Sequence, residues 1–222
     1  MITVYSILIF FHILLFVFWL GGDLGVAILG DHFRKRTYSL EERMTILKIL
    51  VINDLGPRYA WALMVASTMS LVSAGGYWPL PIWAVGLSWA VSLLWVWLVM
   101  AIHREGQSSR GAQLRKIEFY LKWALASFYL GLGAVSLAID APLAPNWLAS
   151  KALIFGLVFS AAIMIDVKFK PVGPALLKLL DEGSTDETEG NLLRIMNRSR
   201  FWVRVTYILL VVVAFIGSTK FY

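Results

Sequence analysis

Among the ionisable residues within the long apolar stretches of this chain, His12, Asp23, Asp54, Arg58 and Lys151 are the ones whose placement could do chemistry. A charged side chain at membrane depth costs about 2.5–3.5 kcal/mol on the insertion scale, so such a residue faces protein, a ligand or a water-filled path. The first stretch, 2–30, reads ITVYSILIFFHILLFVFWLGGDLGVAILG. Along it His12, Trp19 and Asp23 recur at helical spacing, and Tyr5 and Phe16 extend the stripe. The flanking positions are Leu, Ile, Val and Phe. One face suits lipid and the other suits a polar partner.

His12 lies about 15 Å along the first helix at 1.5 Å per residue, which is near mid-bilayer. A neutral imidazole there is either an axial ligand to a haem iron, a proton relay, or a group hydrogen-bonded to a neighbouring helix. Lys151 stands about one turn into a later stretch. It either snorkels to the headgroups or pairs a carboxylate such as a haem propionate. Residue counting puts His12 and Lys151 in the same half of the bilayer. Asp23, Asp54 and Arg58 fall in the other half, with Asp54, Arg58, Trp61 and Val65 on one helical face. These three charges either lock two helices as an ion-pair network, pass protons, or hold an anion at Arg58. A network is stable only if its charges meet, because a lone buried charge is far costlier than a paired one. The candidate catalytic residues are therefore Lys151, Asp23, Asp54 and Arg58. The candidate cofactor residues are His12, Lys151 and Trp19, with His12 the metal ligand. His32 and His103 sit beside basic residues at helix ends and read as interfacial. Met64, Met69 and Met100 are either soft copper ligands or ordinary apolar side chains.

The elements that position these residues follow from composition. The chain has 222 residues, of which 59% are hydrophobic, and its mean hydropathy is +0.73. A soluble domain is about 45–50% apolar. The expectation is an all-α polytopic membrane bundle, a single integral membrane domain over 1–222. Its six spans lie at about 2–30, 47–75, 80–102, 117–139, 146–167 and 201–219. The first connection carries Arg34, Lys35, Arg36 and Arg43, the third Arg104, Arg110, Arg115 and Lys116, and the fifth Lys168, Lys170, Lys178, Arg194, Arg198 and Arg200. The second carries no charge and the fourth only Asp140. Basic loops remain in the cytoplasm, which places both termini outside. Tyr77, Trp78, Trp83 and Trp147 then form an outer aromatic belt. The net charge of +6 is explained by these loops and implies no nucleic acid. The absence of cysteine excludes disulfides, thiolate metal sites and iron–sulfur clusters. The first stretch lacks a basic leader and a small-residue cleavage site, so it reads as a retained span. No Walker loop, GxGxxG, HExxH or nucleophile elbow is present.

Local breaks refine the spans. Pro57, in Asn53-Asp54-Leu55-Gly56-Pro57-Arg58, removes one helical hydrogen bond, so the second stretch is either kinked or two pieces. Gly21, Gly22 and Gly25 allow a close helix approach. Glu118 and Lys122 stand one turn apart, and Gly131, Gly133 and Ser136 read as small packing residues. The fifth connection is expected to form a short helix on either side of the polar turn DEGSTDETEG, the second running into the last span.

Three segments carry a resemblance. FHILLFVFWLGGDLGV, NWLASKALIFGLVF and NLLRIMNRSRFWVRVTYILLVVVAF resemble, in order, the opening His segment, the Trp-Leu-x-x-Lys segment and the closing Arg-x-x-Asn segment of HemJ-type membrane protoporphyrinogen oxidases. Copper-resistance D-like membrane proteins are similar in layout. The resemblance covers the first, second, fifth and sixth spans. It implies a haem-associated role for His12 and a functional role for Lys151. The chain departs from the pattern in having Asp23 and no arginine before Arg34, no proline after Asn197, and two additional spans. The resulting expectation is a haem b protein of the bacterial inner (plasma) membrane, acting as an oxidoreductase on a small hydrophobic or porphyrin-like substrate or passing electrons. Its partners would be the lipid bilayer and a second copy or a membrane complex. The alternatives are a copper or small-solute permease component, or a structural subunit.

Overall fold

The computed structural model describes residues 2–220 and is helical throughout, with no strand among the described residues. Eight helices follow one another: α1 (Val4–Phe33), α2 (Leu40–Asn53), α3 (Leu55–Ala74), α4 (Ile82–Glu105), α5 (Ser109–Ile139), α6 (Asn146–Phe169), α7 (Val172–Glu182) and α8 (Asp186–Thr219). Five helical stretches, those of α1, α4, α5, α6 with α7, and α8, are long and apolar enough to cross a membrane. The chain divides into two compact units, residues 2–37 with 42–118 and residues 38–41 with 119–220.

In the first unit α1 packs on α3 and α3 on α4. Thr3 starts α1 by accepting the Ser6 N–H at 3.1 Å, which satisfies one of the unpaired donors of the first turn. Much of α1 faces outward: Phe10, Ile13, Val17, Phe18, Leu24 and Ile28 are exposed. Its inward face lies so near the end of α2 and the start of α3 that a Cβ on Gly22 would stand 2.6 Å from Pro57 Cγ, and one on Gly25 would stand 2.9 Å from Asn53 Nδ2. Gly22 and Gly25 thus make the close approach expected of them. Gly21 does not, having nothing within 4 Å of its Cβ position.

The Asn53–Arg58 segment is a junction between two helices. α2 ends at Asn53 and α3 begins at Leu55. The chain holds its course because the Asp54 N–H reaches Leu50 O at 2.9 Å and the Arg58 N–H reaches Asp54 O at 3.3 Å. Between these two bonds the helical pattern is interrupted, and Pro57 has no N–H to restore it. Asn53 turns its amide to the carbonyl of Gly22 at 3.0 Å and ties the junction to α1.

In the second unit α6 packs along α8, and α7 folds back on α8. Here α5 and α6 meet through glycines. A Cβ on Gly133 would overlap the backbone of Leu153, and one on Gly156 would stand 2.7 Å from Leu130 N. Tyr129, Phe155 and Phe159 fill the space beside this crossing, with ring centroids 4.7–6.0 Å apart. The polar turn between α7 and α8 ends in a capping box, Thr185 with Thr188. Asp186, Glu187 and Glu189 in the first turn complement the positive end of the helix dipole. This is the helix–turn–helix expected of the fifth connection, and α8 runs unbroken from it.

Candidate functional site

The polar stripe of α1 meets α3 at two levels. At the first, His12 Nδ1 lies 3.0 Å from the hydroxyl of Ser67, which is fully buried. Ser67 follows from the sequence of α3, where Ser67 and Ser70 interrupt Ala, Met and Val. A hydroxyl on one ring nitrogen fixes the orientation of an imidazole, which is part of the support a metal-ligating histidine requires. The same bond equally satisfies a histidine that only joins two helices. The imidazole is half-buried.

At the second level Asp23 faces the Trp19 indole and lies within electrostatic range of Asp54 and Arg58. Arg58 Nε donates to Asp54 Oδ2 at 2.6 Å across one turn of the α2–α3 junction. The three charges are therefore brought together. Between the levels runs a row of indoles: Trp19 stacks on Trp61 at 5.5 Å, and Trp61 meets Trp95 edge-on at 4.9 Å. The Trp95 Nε1–H donates to Glu118 Oε1 at 3.1 Å. Indoles suit this position because each offers a large apolar body with a single donor to place.

Lys151 belongs to the second unit. Its ammonium folds against Gly217 of α8, and Lys220 lies within electrostatic range. His103 is exposed and His32 half-buried, both at helix ends. Met64 and Met69 are core residues of α3, and Met100 lines a shallow recess of about 190 Å³ with Trp97, Ala101, Arg104, Glu105 and Arg110. Small-molecule sites occupy roughly 300–1,000 Å³, so the recess is undersized for a cofactor.

Besides the Ser67, Asn53 and Glu118 contacts, two further polar contacts lie outside the sequence expectations. Lys122, nearly enclosed, pairs with Asp166 of α6 at 2.8 Å. Sequence spacing had associated it with Glu118, one turn away on α5. A usable signal was depth, since Lys122 and Asp166 both lie close to the same end of their spans by residue counting. The other is Arg43, which is only 2% exposed. Its Nε donates to Phe33 O at 2.8 Å and its guanidinium lies 5.2 Å from the Phe33 ring. Its place among the basic loop residues concealed this role.

Which cofactor this donor set suits is a matter of ligand number. A cation held by protein alone needs about three or four ligands. Among the described residues no group of three or more His, Cys, Asp or Glu is placed to hold one. A porphyrin iron needs as little as one protein ligand, and a histidine braced on Nδ1 is such a ligand. His12 has the donor type that a porphyrin iron takes, and no larger cluster of ligating side chains surrounds it among the described residues. Set beside family models, curated proteins and solved structures, the chain gives no match.

Proposed function

We propose that this is a multi-pass protein of the bacterial inner membrane that binds haem b through His12 and carries out electron transfer or oxidation of a small hydrophobic substrate. The observation supporting it is the His12–Ser67 contact at 3.0 Å, which holds an intramembrane imidazole in one orientation against a buried hydroxyl. The resemblance of three segments to HemJ-type oxidases points the same way. Haem, when bound, supplies one-electron chemistry at its iron. The chain's own contributions are distinct. Ser67 holds the orientation of His12, Trp19 walls the stripe below it, and Asp23, Asp54 and Arg58 form the charged cluster that moves protons or locks α1 to the α2–α3 junction.

The test is the absorption spectrum of detergent-purified protein expressed with ample haem. A Soret band is expected that is lost in His12→Ala. Loss of an outer-sphere partner costs about 10–100-fold in metal affinity, so Ser67→Ala should weaken haem binding by that factor. No Soret band in the wild type, or an unchanged band in His12→Ala, refutes the assignment.

The proposed topology has α3 as a sixth span and both termini outside. At 1.5 Å per residue the 20 residues of α3 reach about 30 Å, the thickness of the hydrocarbon core. The absence of cysteine makes the test direct. An impermeant maleimide should label Thr219→Cys in intact cells and leave Ser108→Cys and Ser184→Cys unlabelled. Labelling of Ser184→Cys from outside inverts the arrangement.

A further inference from the structure

The first turns of α6 and the last turn of α8 bring two cations together. Lys151 stands one turn below Trp147 on the same face of α6, about 7 Å into the helix at 1.5 Å per residue. A snorkelling lysine extends away from its helix toward water. The Lys151 ammonium instead folds onto α8, where a Cβ on Gly217 would stand 2.5 Å from Nζ. Glycine leaves the room the ammonium occupies. Three residues on, the chain leaves α8 in a left-handed conformation at Lys220, and the Lys220 ammonium lies 5.6 Å from the centroid of Trp147. Lys220 and Lys151 are within electrostatic range of each other. Among the described residues Lys151 has no hydrogen bond and no carboxylate within ion-pair distance. Two like charges held at the end of an apolar helix pair, with no acid among the described residues beside Lys151, repel each other, and an anion between them relieves that repulsion.

We propose that Lys151, Lys220 and Trp147 form a binding site for the phosphate oxyanion of an anionic lipid headgroup, one that carries no ammonium of its own to offset the charge. The two ammoniums supply the charge, and the Trp147 ring fixes Lys220 through a cation–π contact. The helices around the site show why the phosphate comes from lipid. α8 exposes Ile208, Val211 and Phe215, and α6 exposes Leu157, so both helices meet acyl chains along their length. Headgroups then stand at the ends of these helices, where Trp side chains also gather. The site lies wholly within the second unit and does not depend on haem at His12.

Native mass spectrometry of the full-length, delipidated protein tests the site. Phosphatidylglycerol and phosphatidylcholine are titrated separately onto wild type, Lys151→Gln, Lys220→Gln and Lys151→Arg. The wild type is expected to retain one phosphatidylglycerol in preference to phosphatidylcholine. Each Gln variant is expected to lose about fivefold of that preference, the fold-change equivalent to about 1 kcal/mol per lysine near an anionic surface. Lys151→Arg keeps the charge and should keep the preference, which separates loss of the site from loss of the fold. Gly217→Ala, which crowds the ammonium without removing it, should weaken retention by a smaller factor. Inorganic phosphate at millimolar concentration should not displace the lipid. Displacement by phosphate with the same Lys151 dependence makes the free ion the occupant and overturns the lipid assignment. Equal retention of the two lipids, or retention unchanged in both Gln variants, overturns the site. A Soret band that depends on Lys151 while lipid retention does not overturns it in favour of a porphyrin carboxylate.

Discussion

Gly131 and Gly133 lie two positions apart on α5 and differ only in what stands opposite them. A Cβ on Gly133 would be 2.6 Å from both Cα and Cβ of Leu153 and closer still to its backbone nitrogen, whereas a Cβ on Gly131 meets nothing within 4 Å. The obstacle at Gly133 is backbone, which cannot rotate aside, so α6 would have to shift. Inserting a methyl group into a packed contact costs about 1–3 kcal/mol. Glycine to alanine in a helix interior returns about 0.8–1 kcal/mol, from backbone entropy. That return is common to both positions and cancels in the comparison. Gly133→Ala should therefore be about 1–3 kcal/mol less stable than Gly131→Ala, and Gly131→Ala slightly more stable than wild type. Reversible unfolding in mixed micelles with rising dodecyl sulfate, followed by tryptophan fluorescence, measures both. Equal stability of the two variants would refute the close α5–α6 crossing at Leu153.

Other substitutions probe separate parts of the structure. Arg43→Ala removes a charged donor from Phe33 O, an interaction of the class worth about 1.5–3 kcal/mol, and should raise amide exchange across 40–53 more than across α4. Trp95→Phe keeps a ring beside Trp61 but loses the donor to Glu118, and should cost about 1–2 kcal/mol in the same micelle assay, with Trp97→Phe, which is half-exposed, near neutral. Outside the spans, Lys178 meets Glu187 at 2.8 Å. The lysine holds the Glu187 carboxyl below the usual carboxylate range, and Glu187 with Glu182 raises Lys178 above the usual lysine value. The pair should therefore tighten the α7–α8 turn fully between the two ordinary values, weaken as acid protonates Glu187, and weaken again as base neutralises Lys178. Amide protection at 183–190, taken relative to the intrinsic exchange rate at each pH, should be greatest near neutral pH, and Glu187→Gln should flatten the profile.

What could be read from the sequence divides by whether a contact is local. The α2–α3 junction was visible because Pro57 acts within its own helix, and the turn before α8 because the polar run DEGSTDETEG stands between two stretches of helical pattern. The stripe carrying His12, Trp19 and Asp23 was visible because one helix repeats its own face. The partners across the bundle were not. Ser67 was one small polar residue among several in α3, and its position opposite His12 depends on the registry of two helices. That registry is set by Gly22 at Pro57 and Gly25 at Asn53, and no spacing rule distinguishes them from Gly21. Lys122 had two acids within reach by counting, Glu118 on its own helix and Asp166 on another. The local rule favoured Glu118, and the structure adds a close pair with Asp166 of α6.

Hydropathy read by itself would have passed over the helix that matters most. α3 is absent from the five most apolar stretches, yet Ala60, Trp61, Ala62, Met64, Val65, Ala66, Ser67, Met69 and Ser70 are all buried. Burial alone does not lower hydropathy, since half of the apolar window containing α6 is buried at a hydropathy of 2.1. The difference lies in the partners. α6 buries Phe155, Val158, Phe159 and Ile163 against other apolar side chains, while α3 meets His12 through Ser67, Trp89 through Ser70, and Asp23 through the charges at its start. A helix can be this polar within an apolar bundle only if its polar groups are satisfied by its neighbours. The modest hydropathy of α3 is thus the sequence trace of the polar contacts that α1 and α4 make with it.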